Sequence, residues 1–386
     1  MALKLENLQI TDLKLKKTPE LTKILDLMHK HGIPNALDLL PKSTKKKVSF
    51  ELHNTYVAFA NAIRRTLVDD IPTTCMIIDE KDIATDDEFI SGMSDVLMKN
   101  LSLIPIFQNS NVINKFDMYD IYLSVFNNTN EIIDVKAKDI KIATKRKLKK
   151  TKGGKDDLED EIQEVSDDDQ KQTDQKQTDQ KEELCPDDNI LLMRLRPGKY
   201  IKLKNIQFET GISAKNAGKF SLLNNITYKP MDIDPFDQFT DKGTRSIEKD
   251  CKDFELSFTT CGNIEPKDVI NKVYTKLTND LTDIKAKIQL YELAGKPLYY
   301  SGQDCEITVF NNVTHIKLIG HYLSELNIIA MCGYIIDENI PFITATVERF
   351  DSMVGFLHIK HADPIGILLR SIELCQKDLD IFVSKF

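Results

Sequence analysis

The residues that could act as catalysts or metal ligands are scattered along this 386-residue sequence. Seven histidines occur, and the only close pairs are His29 with His31 and His358 with His361. On a strand, His358 and His361 face opposite sides, and neither pair has a third histidine or a cysteine nearby to complete a zinc site. The seven cysteines are at least ten residues apart, which excludes CxxC motifs. We therefore expect no bound metal and no cofactor.

An acidic cluster precedes a short apolar segment near residue 90. Its members are Asp82, Asp86, Asp87 and Glu88, and carboxylates of this kind can bind magnesium. Acidic residues directly before an apolar helix more often complement the positive end of the helix dipole, which is the interpretation we favour. The sequence contains no GxxxxGK[ST], GxGxxG or GxSxG motif. We expect no catalytic residues in this chain.

Arg64 and Arg65 are better candidates for binding than for catalysis. The apolar positions of their helix repeat every three or four residues, at Val57, Ala60, Ile63 and Leu67. Arg65 is therefore predicted to point away from the core. A guanidinium group meets carboxylates through two parallel hydrogen bonds, which suits ion pairs between subunits. The alternative is that both arginines only pair with Asp69 and Asp70 along their own helix.

Two long segments place apolar residues at steps of three and four. The first follows Pro266 and has Ile270, Val273, Leu277, Leu281, Ile284 and Ile288. The second follows Pro364 and has Ile365, Leu368, Ile372, Cys375, Leu379, Phe382 and Phe386. A narrow apolar seam is typical of helices that pair with another helix, so these residues are predicted to form a dimerisation seam. The alternative is that each helix only covers its own sheet.

The charge of the chain is unevenly distributed. Its formal net charge is −8, and the segment from Lys155 to Glu183 alone carries 13 acidic residues and 4 lysines. The remainder is nearly neutral, which argues against a general nucleic-acid coat. Residues 144–186 combine a basic stretch, an acidic stretch and QKQTD repeats, which predicts a disordered loop. An alternative role for its basic half is contact with nucleic acid.

Strand patterns flank this loop. Residues 121–127 and 190–203 alternate apolar and polar side chains, and the second stretch is predicted to turn at Pro197 and Gly198. The loop is therefore expected to interrupt a β-rich domain. In residues 1–45, Thr18, Pro19 and Glu20 indicate a helix start, and the helix is expected to pack on this protein or on a partner. The longest strongly apolar run has 11 residues, too few to cross a bilayer, and no secretory signal begins the sequence.

A faint internal repeat links the two halves. VSFELHN ends at Asn54 and is followed by a helix pattern through Leu67 and by CMIIDE. EITVFNN ends at Asn312 and is followed by a predicted helix to about Leu326 and by GYIIDE. We therefore expect two strand–helix–strand units, each closed by one long helix.

The stretch NTYVAFANAIRRTLVDDIPTTCMIIDE (54–80), followed by DDEFI (86–90) and LSLIPI (101–106), resembles the signature of the α-like subunits of multisubunit RNA polymerases. This family includes the bacterial α amino-terminal domain and the third-largest subunits of archaea and eukaryotes. Residues 194–221 resemble its inserted second domain, and Tyr228-Lys229-Pro230 resembles a strand end there. Residues 89–105 contain about seven residues more than the matching segment of the family. Seven residues are about two helical turns, so the insertion would keep the apolar face of the helix aligned. The metal-binding cysteines of some relatives are absent.

The carboxy-terminal part is similar to the small α-like partner, the eleventh subunit of the nuclear enzyme. Leu318-Ile319-Gly320-His321-Tyr322-Leu323 and the pair Asp363-Pro364 carry this second resemblance. A chain with both partners resembles the fused arrangement of large DNA viruses that transcribe in the cytoplasm. The resemblance implies an α+β fold with two α-like dimerisation units forming an intramolecular pseudo-dimer. It divides the chain into an extension (1–45), a first dimerisation domain (46–110 and 250–295), an inserted β-rich domain (111–249) and a second dimerisation domain (296–386).

The resemblance also implies a function. Subunits of this family are non-catalytic scaffolds that join two large catalytic subunits, and Arg64 and Arg65 match the motif that contacts a large subunit. The implied partners are these two subunits and smaller polymerase subunits, with DNA and RNA bound only through the assembled enzyme. No membrane contact and no homo-oligomer are expected. Localisation would be the host cytoplasm and the virion for a viral protein, or the nucleus for a cellular one. The alternative is a stand-alone structural or adaptor protein with the same fold.

Overall fold

The computed structural model describes most of the chain. The described residues are 3–13, 23, 26–28, 30, 45–144, 184–231, 252–302, 304–311, 313–319, 328–330, 332, 343–349 and 352–386. Most of the predicted helix near residue 20, most of the 144–186 loop, Asn312 and the GYIIDE stretch at 333–338 lie outside them. The described chain combines helices with antiparallel sheets, which confirms the predicted α+β class.

The helices and strands have the following bounds. The helices are α1 (Val57–Arg65), α2 (Glu88–Ser91), α3 (Ser94–Ser102), α4 (Asn111–Asn114), α5 (Ala217–Phe220), α6 (Pro266–Leu293) and α7 (Pro364–Val383). The strands are β1 (Lys4–Asp12), β2 (Lys46–His53), β3 (Thr73–Ile77), β4 (Ile83–Thr85), β5 (Tyr119–Phe126), β6 (Ile133–Lys136), β7 (Ile140–Thr144), β8 (Leu191–Leu195), β9 (Tyr200–Leu203), β10 (Gln207–Gly211), β11 (Leu223–Pro230), β12 (Phe254–Thr260), β13 (Tyr299–Gly302), β14 (Cys305–Phe310), β15 (Val313–Ile319), β16 (Ile343–Arg349) and β17 (Ser352–Ile359).

The first sheet has the strand order β1-β2-β12-β11. Its central strand β2 alternates buried Val48, Phe50 and Leu52 with more exposed polar residues, as a strand with one face on the core should. Strand β1 lies within residues 1–45, for which the sequence predicts an extension with one helix and no strand. β1 pairs antiparallel with β2, and Leu3 and Leu5 pack against the first core, so this segment is part of the folded unit.

The second sheet has the strand order β13-β14-β15-β17-β16. Here the helix predicted directly after Asn312 is wrong, because residues 313–319 form β15 and pair with β14. Asn311 has a positive φ of 50°, a conformation that asparagine tolerates and that a two-residue hairpin turn requires. Between residues 313 and 349, the part of the chain that the structure describes has helical residues at 328–330 and 332. Asn54 is followed by α1 whereas Asn312 is followed by β15, so the proposed equivalence of Asn54 and Asn312 is wrong.

Three smaller sheets lie between the two parts of the first sheet in the chain. Their orders are β4-β9-β5-β7, β6-β8 and β10-β3. The predicted hairpin across Pro197 and Gly198 is wrong in its pairing. Gly198 does turn the chain with a φ of 70°, but β8 pairs with β6 whereas β9 pairs with β4 and β5. The alternation of apolar and polar residues indicates that both segments are strands, but it does not indicate which strands they pair with.

The described residues bury two separate hydrophobic cores. One core joins the first sheet, α1, α6, α7 and the second sheet into a single cluster. The other begins at Met76 and continues to Ile206. It therefore includes residues before 111, where the inserted domain was predicted to begin.

The segment with the extra residues is not one continuous helix. Helix α2 ends before Gly92, and α3 starts two residues later at Ser94. Ile90, Leu97 and Leu101 are buried on the second core. The expected two added turns are thus replaced by a break between two short helices.

Candidate subunit-assembly site

Helix α1 is anchored by its apolar face and presents its two arginines beside the core. Phe59, Ala60 and Ile63 are fully buried, whereas Arg64 and Arg65 are half-buried. The helix continues into a π-helical turn at Thr66–Asp70. Widened turns of this type are frequent at functional sites, because the extra residue shifts the side chains that follow.

The two arginines are held differently. Arg64 donates from Nε to Asn61 Oδ1 at 3.0 Å, and its guanidinium carbon lies 5.8 Å from the ring centre of Tyr228 on β11. A cation over an aromatic face is attracted by the ring quadrupole, so Arg64 is fixed within its own fold. Across the described chain, Arg65 has no side-chain hydrogen bond or ion pair. Arg65 is therefore the arginine whose guanidinium group is available to another molecule.

The end of the π-helical turn is braced by two other parts of the chain. The backbone N–H of Ala214 donates to the carbonyl of Asp69 at 2.9 Å. Lys272 on α6 donates to the carbonyl of Pro72 at 2.9 Å, and burial lowers the pKa of that lysine. The backbone around Arg65 is thus connected to α6 and to the loop after β10, which gives it a defined position.

The predicted seam residues are buried in the first core, except Phe386, which follows the end of α7 and is half-buried against that core. They are Ile270, Val273, Leu277, Leu281, Ile284 and Ile288 on α6, with Ile365, Leu368, Ile372, Cys375, Leu379 and Phe382 on α7. Both helices begin with proline at the first turn, and Asp363 caps α7 by accepting the N–H of Gly366 at 3.0 Å. The spacing in the sequence therefore predicted both helices and their buried faces correctly.

Helices α6 and α7 pack against each other in antiparallel orientation. Tyr274 donates to Asp380 Oδ1 at 2.8 Å, and Lys285 Nζ lies 3.6 Å from Glu373 Oε1. Tyr274, nearer the start of α6, contacts a residue near the end of α7. Lys285, nearer the end of α6, contacts a residue closer to the start of α7, so the two helices run in opposite directions. The hydrogen bond to Asp380 raises the pKa of Tyr274.

Each long helix also reaches the opposite sheet. Phe382 of α7 lies 5.8 Å from Phe50 on β2 and 6.5 Å from Phe59 on α1, measured between ring centres. Tyr291 of α6 lies 5.7 Å from Tyr300 on β13 of the second sheet. Aromatic pairs at these separations add to the burial of apolar area. Neither helix only covers its own sheet.

A cluster of polar side chains at the start of α1 links α1 to Cys332 and to α7. Tyr56 Oη lies 2.8 Å from Cys332 Sγ, which is 3.2 Å from Cys375 Sγ on α7. Burial raises the pKa of Tyr56 and that of Cys375 well above their ordinary values. Tyr56 and Cys375 are therefore neutral hydrogen-bonding groups rather than nucleophiles.

The acidic cluster is structural. Asp87 is 1% exposed, accepts the N–H of Phe89 at 3.0 Å and so caps α2, which confirms the helix-start interpretation. Arg196, distant in sequence, donates to both carboxylate oxygens of Asp87. These hydrogen bonds, led by those from Arg196, lower the pKa of Asp87 to about 2. No spacing in the sequence indicated this ion pair.

We expect Arg196→Ala to destabilise the second core. It leaves the buried Asp87 carboxylate without its guanidinium partner, and the free energy of unfolding at pH 7 should fall by about 1–3 kcal/mol. Because the pKa of Asp87 is lower in the folded state, the pair stabilises the protein above about pH 4, and this contribution disappears as the pH falls toward 2. Urea unfolding at pH 7 and at pH 2.5 measures both effects.

The matched control for this prediction is Arg194→Ala. Arg194 pairs with Asp134 at 3.3 Å, but its side chain is 71% exposed, so the loss should be under about 0.5 kcal/mol. Equal destabilisation by the two variants would contradict the role assigned to Asp87 and Arg196.

The structure was also searched for clusters of metal-binding side chains among the described residues. They contain no group of three or more His, Cys, Asp or Glu side chains that could hold a metal ion. The structure also brings together a histidine pair that no spacing in the sequence indicates, since His315 on β15 faces His358 on β17. No helix among the described residues has the length and apolar character needed to span a membrane.

Comparison with protein families assigns the amino-terminal part of this arrangement to a known domain family. Residues 49–281, more than half of the chain, match the RNA polymerase Rpb3/Rpb11 dimerisation domain. The chain belongs to this family. Membership supports a role as an α-like assembly subunit of RNA polymerase, and it implies association with other polymerase subunits. The matched domain is a non-catalytic assembly domain. A search of curated proteins found no match to this chain.

Proposed function

We propose that this chain alone forms the scaffold on which the two large catalytic subunits of a DNA-directed RNA polymerase assemble. The main observation that supports this proposal is the antiparallel packing of α6 and α7 in one hydrophobic core with both sheets. Two dimerisation units that share a core in one polypeptide fulfil the role of an α-like heterodimer. Residues 46–110 with 250–295 form the first unit, and residues 296–386 form the second.

The remaining assignments follow from this scaffold role. Residues 111–249 are the inserted β-rich domain, and the second core extends that region back to Met76. Arg65 is the contact residue toward a large subunit, because it is half-exposed and forms no ion pair or side-chain hydrogen bond within the described chain. The fusion of two partners favours a large DNA virus as the source, with the host cytoplasm and the virion as locations. A cellular source would place the protein in the nucleus.

The test is purification of the tagged full-length chain from its native source under mild conditions. We expect two large polypeptides to co-elute with it, together with DNA-dependent RNA synthesis in the same fractions. Elution of the chain without them would support the alternative, an adaptor protein that uses the same fold. Strong salt-sensitive DNA binding by the isolated chain would instead assign a nucleic-acid role to its basic segment, residues 141–155.

A further inference from the structure

Two histidines from neighbouring strands meet on the outer face of the second sheet. His315 on β15 is directly opposite His358 on β17, and their Nδ1 atoms are 2.5 Å apart. The ring planes are nearly perpendicular, at 83°, with centres 4.6 Å apart. Thr314 and Ile316 are buried on the inner face, so the two imidazoles lie on the partly exposed face.

We propose that this histidine pair, His315 and His358, binds a divalent transition-metal ion. Neutral imidazole is the most common side-chain ligand for such ions, and here two ring nitrogens from separate strands are directed at each other. Water molecules complete the coordination, because the described residues supply no cluster of three or more ligands. The site belongs to the second sheet and does not depend on the proposed polymerase role.

Binding requires only a small rearrangement. An ion with bonds of about 2.0–2.1 Å holds two neighbouring ligand nitrogens about 2.9 Å apart at a right angle and about 3.4 Å apart in a tetrahedron. From 2.5 Å, the two nitrogens therefore need to separate by about 0.4–0.9 Å. Both side chains are half-exposed, which leaves room for rotation. Without the ion, one Nδ1 donates its proton to the other; with the ion, both rings carry their proton on Nε2 instead. The displaced proton moves to Nε2 of the same ring through solvent.

The surrounding charges set the strength of the site. Lys317 lies two positions from His315 on the same face and is 3.6 Å from Glu306, which offsets its charge. Lys360 lies two positions after His358 and is exposed. Two protein ligands near these lysines bind a metal ion more weakly than the four ligands of a structural zinc site. The ion would therefore join β15 to β17 as a reversible cross-link that stabilises the second sheet at high metal concentration.

Nickel is the probe for the test, because imidazole suits Ni²⁺ whereas the free cysteines favour softer ions. Calorimetric titration of metal-free full-length protein with NiCl₂ should give one site, and the melting temperature should rise with NiCl₂ concentration. His315→Gln and His358→Gln should each weaken binding at least tenfold. Thr308→Ala is the matched control, since Thr308 is opposite His315 in the same row, and it should bind like the unaltered protein.

A second measurement applies even if a variant fails to fold. Paramagnetic Ni²⁺ should broaden the NMR ring signals of two of the seven histidines in the unaltered protein, and far-ultraviolet circular dichroism identifies folded variants. The proposal is overturned if the unaltered protein binds no Ni²⁺, if folded glutamine variants bind it equally well, or if other histidine signals broaden instead.

Discussion

Leu277→Asp is expected to unfold the core shared by the two sheets. Leu277 has no exposed surface and lies on the face of α6 that packs in this core. An uncompensated buried charge commonly costs about 3–5 kcal/mol, a large part of the roughly 5–15 kcal/mol that stabilises a typical domain. Thermal melting and limited proteolysis should both show the loss. Ile372→Asp, which changes the equally buried position on α7, should act in the same way.

Asn279→Asp is the control for both substitutions. It introduces the same side chain into the same helix, but on the exposed face, so the melting temperature should change little. If Leu277→Asp melts and is cleaved like the unaltered protein, α6 does not contribute a buried seam. That result would remove the main observation behind the scaffold proposal.

Arg65→Ala is expected to leave the chain folded and to weaken its assembly with the large subunits. Arg65 forms no ion pair or side-chain hydrogen bond in the described part of this chain, so its loss should not change the melting temperature. Removing one member of a desolvated charge pair costs about 2–5 kcal/mol, or roughly 30- to several-thousand-fold in affinity. Reconstitution with the large subunits measures this loss directly.

Asp69→Ala tests the competing explanation. If Arg65 only made a surface pair with Asp69, that pair would contribute about 0.3–0.5 kcal/mol, too little to affect assembly. We expect normal assembly with Asp69→Ala. Normal assembly with Arg65→Ala as well would show that Arg65 is an ordinary surface residue. Arg64→Ala should lower the melting temperature instead, because Arg64 contacts Asn61 and Tyr228 within the chain.

Features encoded by local spacing were predictable from the sequence. Steps of three and four, with Pro266 and Pro364 at the first turn, predicted α6 and α7 and the faces that they bury. Helix α1 was predicted in the same way, although its end is widened into a π-helical turn. The helix start at Asp87 was also predicted, because capping involves only neighbouring residues.

Pairings between distant residues were not predictable. Asp87 with Arg196, His315 with His358 and Tyr274 with Asp380 are brought together by strand register and helix packing. Residues 313–319 form a strand, whereas the internal repeat predicts a helix there. A single sequence shows which segments alternate, but the partner of each strand depends on the whole fold.

The position of Phe382 affects the order in which the protein can fold. This ring and that of Phe386 complete the apolar environment of Phe50, which is synthesised more than three hundred residues earlier. Ribosomes add about 5–20 residues per second, so Phe50 and its neighbours wait roughly 15–65 s for these rings. The first sheet therefore cannot complete its hydrophobic core while the chain is still being synthesised. Any chain released before Phe382 keeps an uncovered, aggregation-prone aromatic surface.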